Sequence, residues 1–226
     1  MKKILLVGLL FYLGVKSYSQ DYTQLRLISD EIFKLGLSPY EVKNYSEIEG
    51  SPYLYPDLMD GKIITKTDKV LVGKLRYNIY TDEIEFQYKN SMMSFAQPDN
   101  FKEFYIDSQK ILYCTYHDGA KAKNGFMLVV ADGDYSLLVK KSVIYIAKEK
   151  PQPYTFPKPD RFETKDDTYY LSYQNQNPVK IVSSKKLVKS FPELDALIRN
   201  YPEKNVNYGK QDDLKRLVEY INSQSK

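Results

Sequence analysis

Large apolar side chains recur at every second position through most of the chain after residue 60, and that period leaves few folds open. Successive side chains of a strand point to opposite faces, so strict alternation marks a strand with one face on a core. The clearest case spans 70–89. Leu71, Leu75, Tyr77 and Ile79 alternate with Val72, Lys74, Arg76 and Asn78, and then Ile84, Phe86 and Tyr88 alternate with Glu83, Glu85 and Gln87. A tight connection at Thr81-Asp82 sets Ile79 across from Ile84 and Tyr77 across from Phe86. Arg76 then lies diagonal to Glu85 on the solvent face. A one-residue slip would send every apolar group to water, so the pattern specifies its own register.

Asp132-Gly133 marks a second hairpin, because this dipeptide accepts the positive φ angles of a type I′ turn. Its arms, 126–131 and 135–140, are apolar on both parities. Leu128 is expected to face Leu137, and the double-sided pattern calls for cover on both faces, from a curled sheet or an overlying helix. Further strands are predicted at 91–96, 101–106, 110–116, 143–148, 168–174 and 179–183. Pro151, Pro153, Pro157 and Pro159 interrupt them, since proline cannot sit inside a sheet; the stretch reads as a stiff strap, or as a polyproline-type peptide ligand. Leu25, Ile28, Ile32 and Leu35 predict a helix over 22–35, stopped by Gly36. Two short helices are predicted near the end. One follows Pro192 with Leu194, Leu197 and Ile198 on a stripe; the other starts near Asp212 with Leu214, Leu217, Val218 and Ile221. The fold class is mainly β (α+β): a long antiparallel meander forming a curved sheet, open barrel or sandwich, with an N-terminal helix and two C-terminal ones.

The first residues carry a different pattern. Lys2 and Lys3 precede an apolar run from Ile4 to Val15, followed by Ser17-Tyr18-Ser19. A charged start, a short apolar middle and small residues three and one before a cut describe a secretory signal peptide over 1–19, with Gln20 as the mature N-terminus. The run is shorter than the ~20 residues a spanning helix needs. No cysteine stands at the cut to take a lipid. No later stretch has the length to span, so the mature chain is expected to lack a transmembrane segment. Residues 20–226 then form one β-rich domain, ending in a helical segment over about 190–223. Residues 1–19 hold three lysines and no acid, so their removal takes the net charge from +4 to near neutrality. A neutral surface offers no basic footprint for nucleic acid. The single cysteine, Cys114, forms no disulfide within the chain.

Catalytic sets are sparse. His117 is the lone histidine, and Cys114 lies three residues before it, so an extended strand points the two to opposite faces. The residues after His117 read as a loop. Glu83 and Glu85 share a strand face, the arrangement of a paired-carboxylate hydrolase, yet Lys74 and Arg76 on the partner strand supply ordinary cross-strand charge partners. No spacing suits zinc, calcium or a phosphate loop, so no cofactor, metal or catalytic residue is assigned. Tyrosine is the compositional excess, with 22 residues and no tryptophan. Tyrosine suits half-buried strands, and it also offers a rigid amphipathic surface to a sugar, peptide or lipid. Tyr169, Tyr170 and Tyr173 are the candidate ligand-binding residues, because adjacent tyrosines on a strand face opposite ways and one must meet solvent or a cleft.

The runs 51–57, 75–86 and 125–141, with the closing stretch 213–222, resemble a group of secreted β-rich proteins of the Bacteroidetes. The resemblance implies an exported chain with a β-rich fold and carries no activity or site. The reading that follows is an exported, non-enzymatic cell-envelope protein, in the periplasm or beyond, that binds a ligand or protein partner through its sheet. The alternatives are an envelope hydrolase using Glu83/Glu85 or His117, and a structural or assembly component.

Overall fold

The computed structural model describes residues 26–32, 39–95, 98–119, 121–148, 158–203 and 205–225. The signal segment, much of the expected first helix and most of the proline-rich stretch lie outside the described residues.

Twelve strands form one curved sheet: β1 (Arg26–Leu27), β2 (Tyr40–Glu41), β3 (Met59–Thr65), β4 (Val70–Asn78), β5 (Glu83–Tyr88), β6 (Ser91–Ser94), β7 (Phe101–Ile106), β8 (Gln109–Asp118), β9 (Lys121–Ala131), β10 (Tyr135–Ile146), β11 (Arg161–Tyr173) and β12 (Val179–Lys180). The order across it is β12-β11-β10-β9-β8-β7-β3-β4-β5-β6-β2. Neighbours are antiparallel, and β1 adds a parallel contact to the free half of β4, at Leu71 and Val72. Both edge strands are two residues long, which leaves little open edge for another chain to pair with. The helices are α1 (Ile28–Glu31), α2 (Ser184–Ser190), α3 (Asp195–Asn200) and α4 (Gln211–Gln224).

The expected meander is present, with corrections that have physical causes. Arg26 and Leu27 are strand, so the first helix starts at Ile28, later than the periodicity implied. In the 70–89 hairpin the apolar parity holds but the pairing is displaced by two residues: Tyr77 faces Ile84 and Leu75 faces Phe86. The turn takes four residues rather than two. Asn78 causes this, because its Oδ1 accepts from the backbone N–H groups of Tyr80 and Thr81 and folds the chain at once. Asp82 closes the turn at φ +58°. At the second hairpin Leu128 faces Val139, while Leu137 faces Ala131 and a register shift follows. Gly133 has no positive φ. Its lack of a side chain serves a close approach instead, since a Cβ there would lie 2.5 Å from the Asn222 side-chain nitrogen. The turn after His117 is shorter than the sequence implied: β8 runs through Asp118, pairs His117 with Ala122, and β9 resumes at Lys121. The helical tail begins at Ser184, where the Ser183 hydroxyl accepts from the N–H of Lys186.

One core covers a face of the whole sheet. Ile63, Leu71, Leu75, Tyr77, Phe86, Phe104, Ile106 and Ile111 are buried on the strands, and Leu214, Leu217, Val218 and Ile221 bring α4 down over the β9–β10 part. A ring chain runs through it, from Phe86 to Phe95 (4.6 Å), Phe101 (5.0 Å), Phe104 (5.3 Å) and Phe126 (5.2 Å). The opposite face of β8–β11 holds a second, smaller cluster of Tyr116, Met127, Leu138 and Tyr170. Strand β12 comes within contact distance of β8, so this part of the sheet rolls around that cluster. Both kinds of cover expected for the double-sided strands are therefore in place.

Candidate functional site

On the β4–β6 side an opening is built by the segment 41–56, which crosses the outer face of the hairpin. It is bonded to β4 by Leu54 N–H to Tyr77 O (2.9 Å) and Ile79 N–H to Pro52 O (2.7 Å). It is bonded to β11 by Phe162 N–H to Glu49 O (2.8 Å), and Glu49 N–H donates to Asp160 O (3.1 Å). Between the segment and the sheet lies a cleft of about 550 Å³, lined by Asn44, Ser46, Ser51, Tyr53, Arg76 and Asn90 among others. That volume falls in the range of small-molecule sites, roughly 300–1,000 Å³.

The cleft wall is an ion pair that the alternating pattern had placed in solvent. Glu85 is fully buried. It accepts from Arg76 Nη2 at 2.6 Å and Nε at 3.2 Å, and from Asn78 Nδ2 at 2.9 Å. The Arg76 guanidinium lies over the Tyr53 ring, its central carbon 3.6 Å from the ring centre. Segment 41–56 thus converts the expected wet face into a covered one. Burial pushes the Tyr53 hydroxyl up to about 12.

An aromatic rim continues from the cleft. Tyr45 lines the opening and sets its ring edge-on to Phe162 (5.4 Å) and Tyr80 (6.1 Å). Phe162 also meets Tyr80 (5.1 Å) and Tyr145 (6.0 Å). Phe162 is buried behind the group, while Tyr80 and Tyr145 are 41% and 39% exposed. The four rings come from four separate stretches of chain.

The structure disperses the residues singled out in the sequence. Tyr169 and Tyr170 are both buried, on opposite faces: Tyr169 in the main core, Tyr170 in the small cluster, with its ring 5.5 Å from Tyr116. Tyr173 is half-buried against Tyr135 (4.8 Å). They share no surface, and the expectation that one of the adjacent pair meets solvent fails because the rolled sheet covers its second face. Glu83 accepts from the Tyr40 hydroxyl and from Thr81 Oγ1 (3.0 Å), so it does not join Glu85 in a carboxylate pair facing an open site. Lys74, the other expected partner on β4, pairs with Asp60 (2.8 Å). His117 is exposed on β8, across the strand from Cys114. Burial raises the Cys114 thiol to about 11, away from the reactive thiolate.

A second polar knot was also illegible in the sequence. Asp82 Oδ1 accepts from Tyr77 OH (2.7 Å), from Lys140 Nζ (2.5 Å) and from the N–H of Phe126 (3.3 Å), and Lys140 also donates to Phe126 O (3.0 Å). Burial draws the Lys140 ammonium below its usual range, against the pull of Asp82. Gly125 makes room for the pair: a Cβ there would collide with the Asp82 carboxylate and lie 2.9 Å from Lys140 Nζ. This knot fastens the β4–β5 turn to β9 and β10. Among the described residues no group of three or more His, Cys, Asp or Glu is arranged to hold a metal, and no helix is long and apolar enough to cross a membrane.

Set against known proteins, the chain matches no family model, no curated protein and no solved structure.

Proposed function

We propose that this chain is an exported binding protein of the cell envelope, of the secreted Bacteroidetes type that the sequence resembles, and that it holds its ligand in the Arg76–Tyr53 cleft. The observation that carries the reading is the way the cleft wall is held. Arg76 is held by the Tyr53 ring on one side and by a buried carboxylate on the other, so its walls are set before anything binds, and a preorganised site spends less free energy on ordering. Export is supported by the charged, apolar and small-residue succession over 1–19.

Two measurements test this. Fractionation of a Bacteroidetes host expressing the full chain, followed by N-terminal sequencing, should find the protein outside the cytoplasm and starting at Gln20; a cytoplasmic protein retaining Met1 sinks the export reading. Small-molecule extracts of the envelope should raise the melting temperature of the wild-type protein but not of Ser46→Trp, which fills the cleft. An equal rise in both sinks the cleft reading.

A further inference from the structure

We infer that the cleft takes a neutral saccharide, which stacks on the exposed side chains of Tyr80 and Tyr145 around Phe162 while its hydroxyls reach the amide and hydroxyl groups inside. The inference rests on the cleft reading and adds the class of ligand. A pyranose presents flat C–H faces and a rim of hydroxyls, so it needs aromatic planes beside a polar wall without net charge. Both are present and continuous, because Tyr45 belongs to the cleft lining and to the ring group around Phe162. Tyrosine supplies such planes with a polar tip and few rotatable bonds.

The wall is polar and its charges balance: Arg76 is paired with Glu85, and the lining also carries one acid, Glu41, and one base, Lys43. Asn44 uses its Oδ1 to accept from Ser46 N–H (2.9 Å), which turns its amide nitrogen to other partners. Ser51 and Ser91 add hydroxyls. For an anion the wall offers no net positive charge, since Arg76 is neutralised by Glu85 and Lys43 is matched by Glu41 on the same lining. An acyl chain would need a continuous apolar wall, which Asn44, Ser46, Ser51 and Asn90 interrupt. A peptide adding as a strand would need an open main-chain edge, and β2 offers only two residues.

The test uses the mature protein with defined probes: cellohexaose, maltohexaose, xylohexaose and chitohexaose as neutral chains, hexagalacturonate as an acidic one, and a pool of unstructured decapeptides. Saturation-transfer NMR and calorimetry should find at least one neutral hexasaccharide binding with Kd of about 1 mM or tighter. Tyr80→Ala and Tyr145→Ala should each weaken it at least tenfold, while Tyr80→Phe, which keeps the plane, should retain it. Both tyrosines are exposed, and the melting temperature of each variant checks its fold; if Tyr80→Ala does not fold, Tyr145→Ala decides. Absence of binding by all four neutral probes overturns the inference, as does binding indifferent to the tyrosine substitutions. If only the acidic saccharide or the peptides bind, and Ser46→Trp abolishes that, the saccharide class is wrong while the cleft reading stands. Neutral-sugar binding that survives both Ser46→Trp and Tyr80→Ala overturns the two together.

Discussion

Asn222, near the end of α4, is bonded to the main chain of Tyr135 through both atoms of its side-chain amide: Nδ2 donates to Tyr135 O at 2.8 Å, and Oδ1 accepts from Tyr135 N–H at 2.9 Å. The amide imitates a strand neighbour and seats the last helix on the first residue of β10. Gly133 leaves the space for it. Asn222→Ala orphans both backbone groups and should cost about 1–3 kcal/mol. Asn222→Asp removes the donor and should cost a similar amount. The check is the urea midpoint at constant m-value, which separates a loss of stability from a change in what unfolds.

The Arg76–Glu85 pair should show asymmetric energetics. Arg76→Met leaves a buried carboxylate with Asn78 as its remaining partner and should cost about 3–5 kcal/mol. Replacing both, as Arg76→Met with Glu85→Leu, should cost less than Arg76→Met alone, because no charge is then stranded. A double-mutant cycle in denaturant measures the coupling. Additive single losses would show that the pair is not energetically linked.

Gly125→Ala should force Asp82 and Lys140 apart, and Asp82→Asn should cost about 2 kcal/mol by removing the charge that faces Lys140. Asparagine tolerates the positive φ of that position, so the loss reports the ion pair rather than backbone strain. Hydrogen exchange should quicken at Phe126, whose N–H donates to Asp82, before it quickens in the α4 region.

Stability should be level through neutral pH and fall in alkali. Burial raises Tyr53 and Tyr170 from 10.0 to about 12 and lifts Tyr77 well above its ordinary value. An unfolded chain loses these protons first, so the native state binds more protons above pH 10, and stability declines from there through about pH 12. Lys140 has the opposite sign, its lowered value adding stability as pH rises, but it is one group against several tyrosines. Ultraviolet titration should show a late tyrosine class ionising together with unfolding.

Cys114 should resist thiol reagents in the native protein. With its thiol near 11, a thiolate fraction of only about 0.1% is present at pH 8. The labelling rate should climb about tenfold per pH unit, and denaturant should release fast labelling. Rapid native labelling at pH 8 would contradict the burial of the thiol.

The sheet was legible because alternation is a local signal: Leu75, Tyr77, Ile84 and Phe86 stand on the core face that their spacing required. Their partners were not, since one Asn78 side chain lengthens the turn and moves every pair by two. Glu85 looked wet because nothing within its own hairpin covers it; the cover arrives from Tyr53, more than thirty residues earlier in the chain. The doubled tyrosines at 169–170 did announce two opposite faces, but not that both would be covered. The aromatic rim was beyond local reading altogether, as Tyr45, Tyr80, Tyr145 and Phe162 meet only when distant segments do.

The bonds between Glu49 and the Asp160–Phe162 stretch carry a kinetic consequence. They join positions more than a hundred residues apart, so closing them demands a large loop entropy that local hairpins do not. Hairpins such as β4–β5 can form early from neighbours in the chain, whereas this seam must await β11. The segment that makes the seam also forms the cleft wall. A nascent or truncated chain lacking residues 160–162 would hold that segment through its main-chain bonds to Tyr77, Ile79 and Met92, so the cleft wall gains its long-range anchor last.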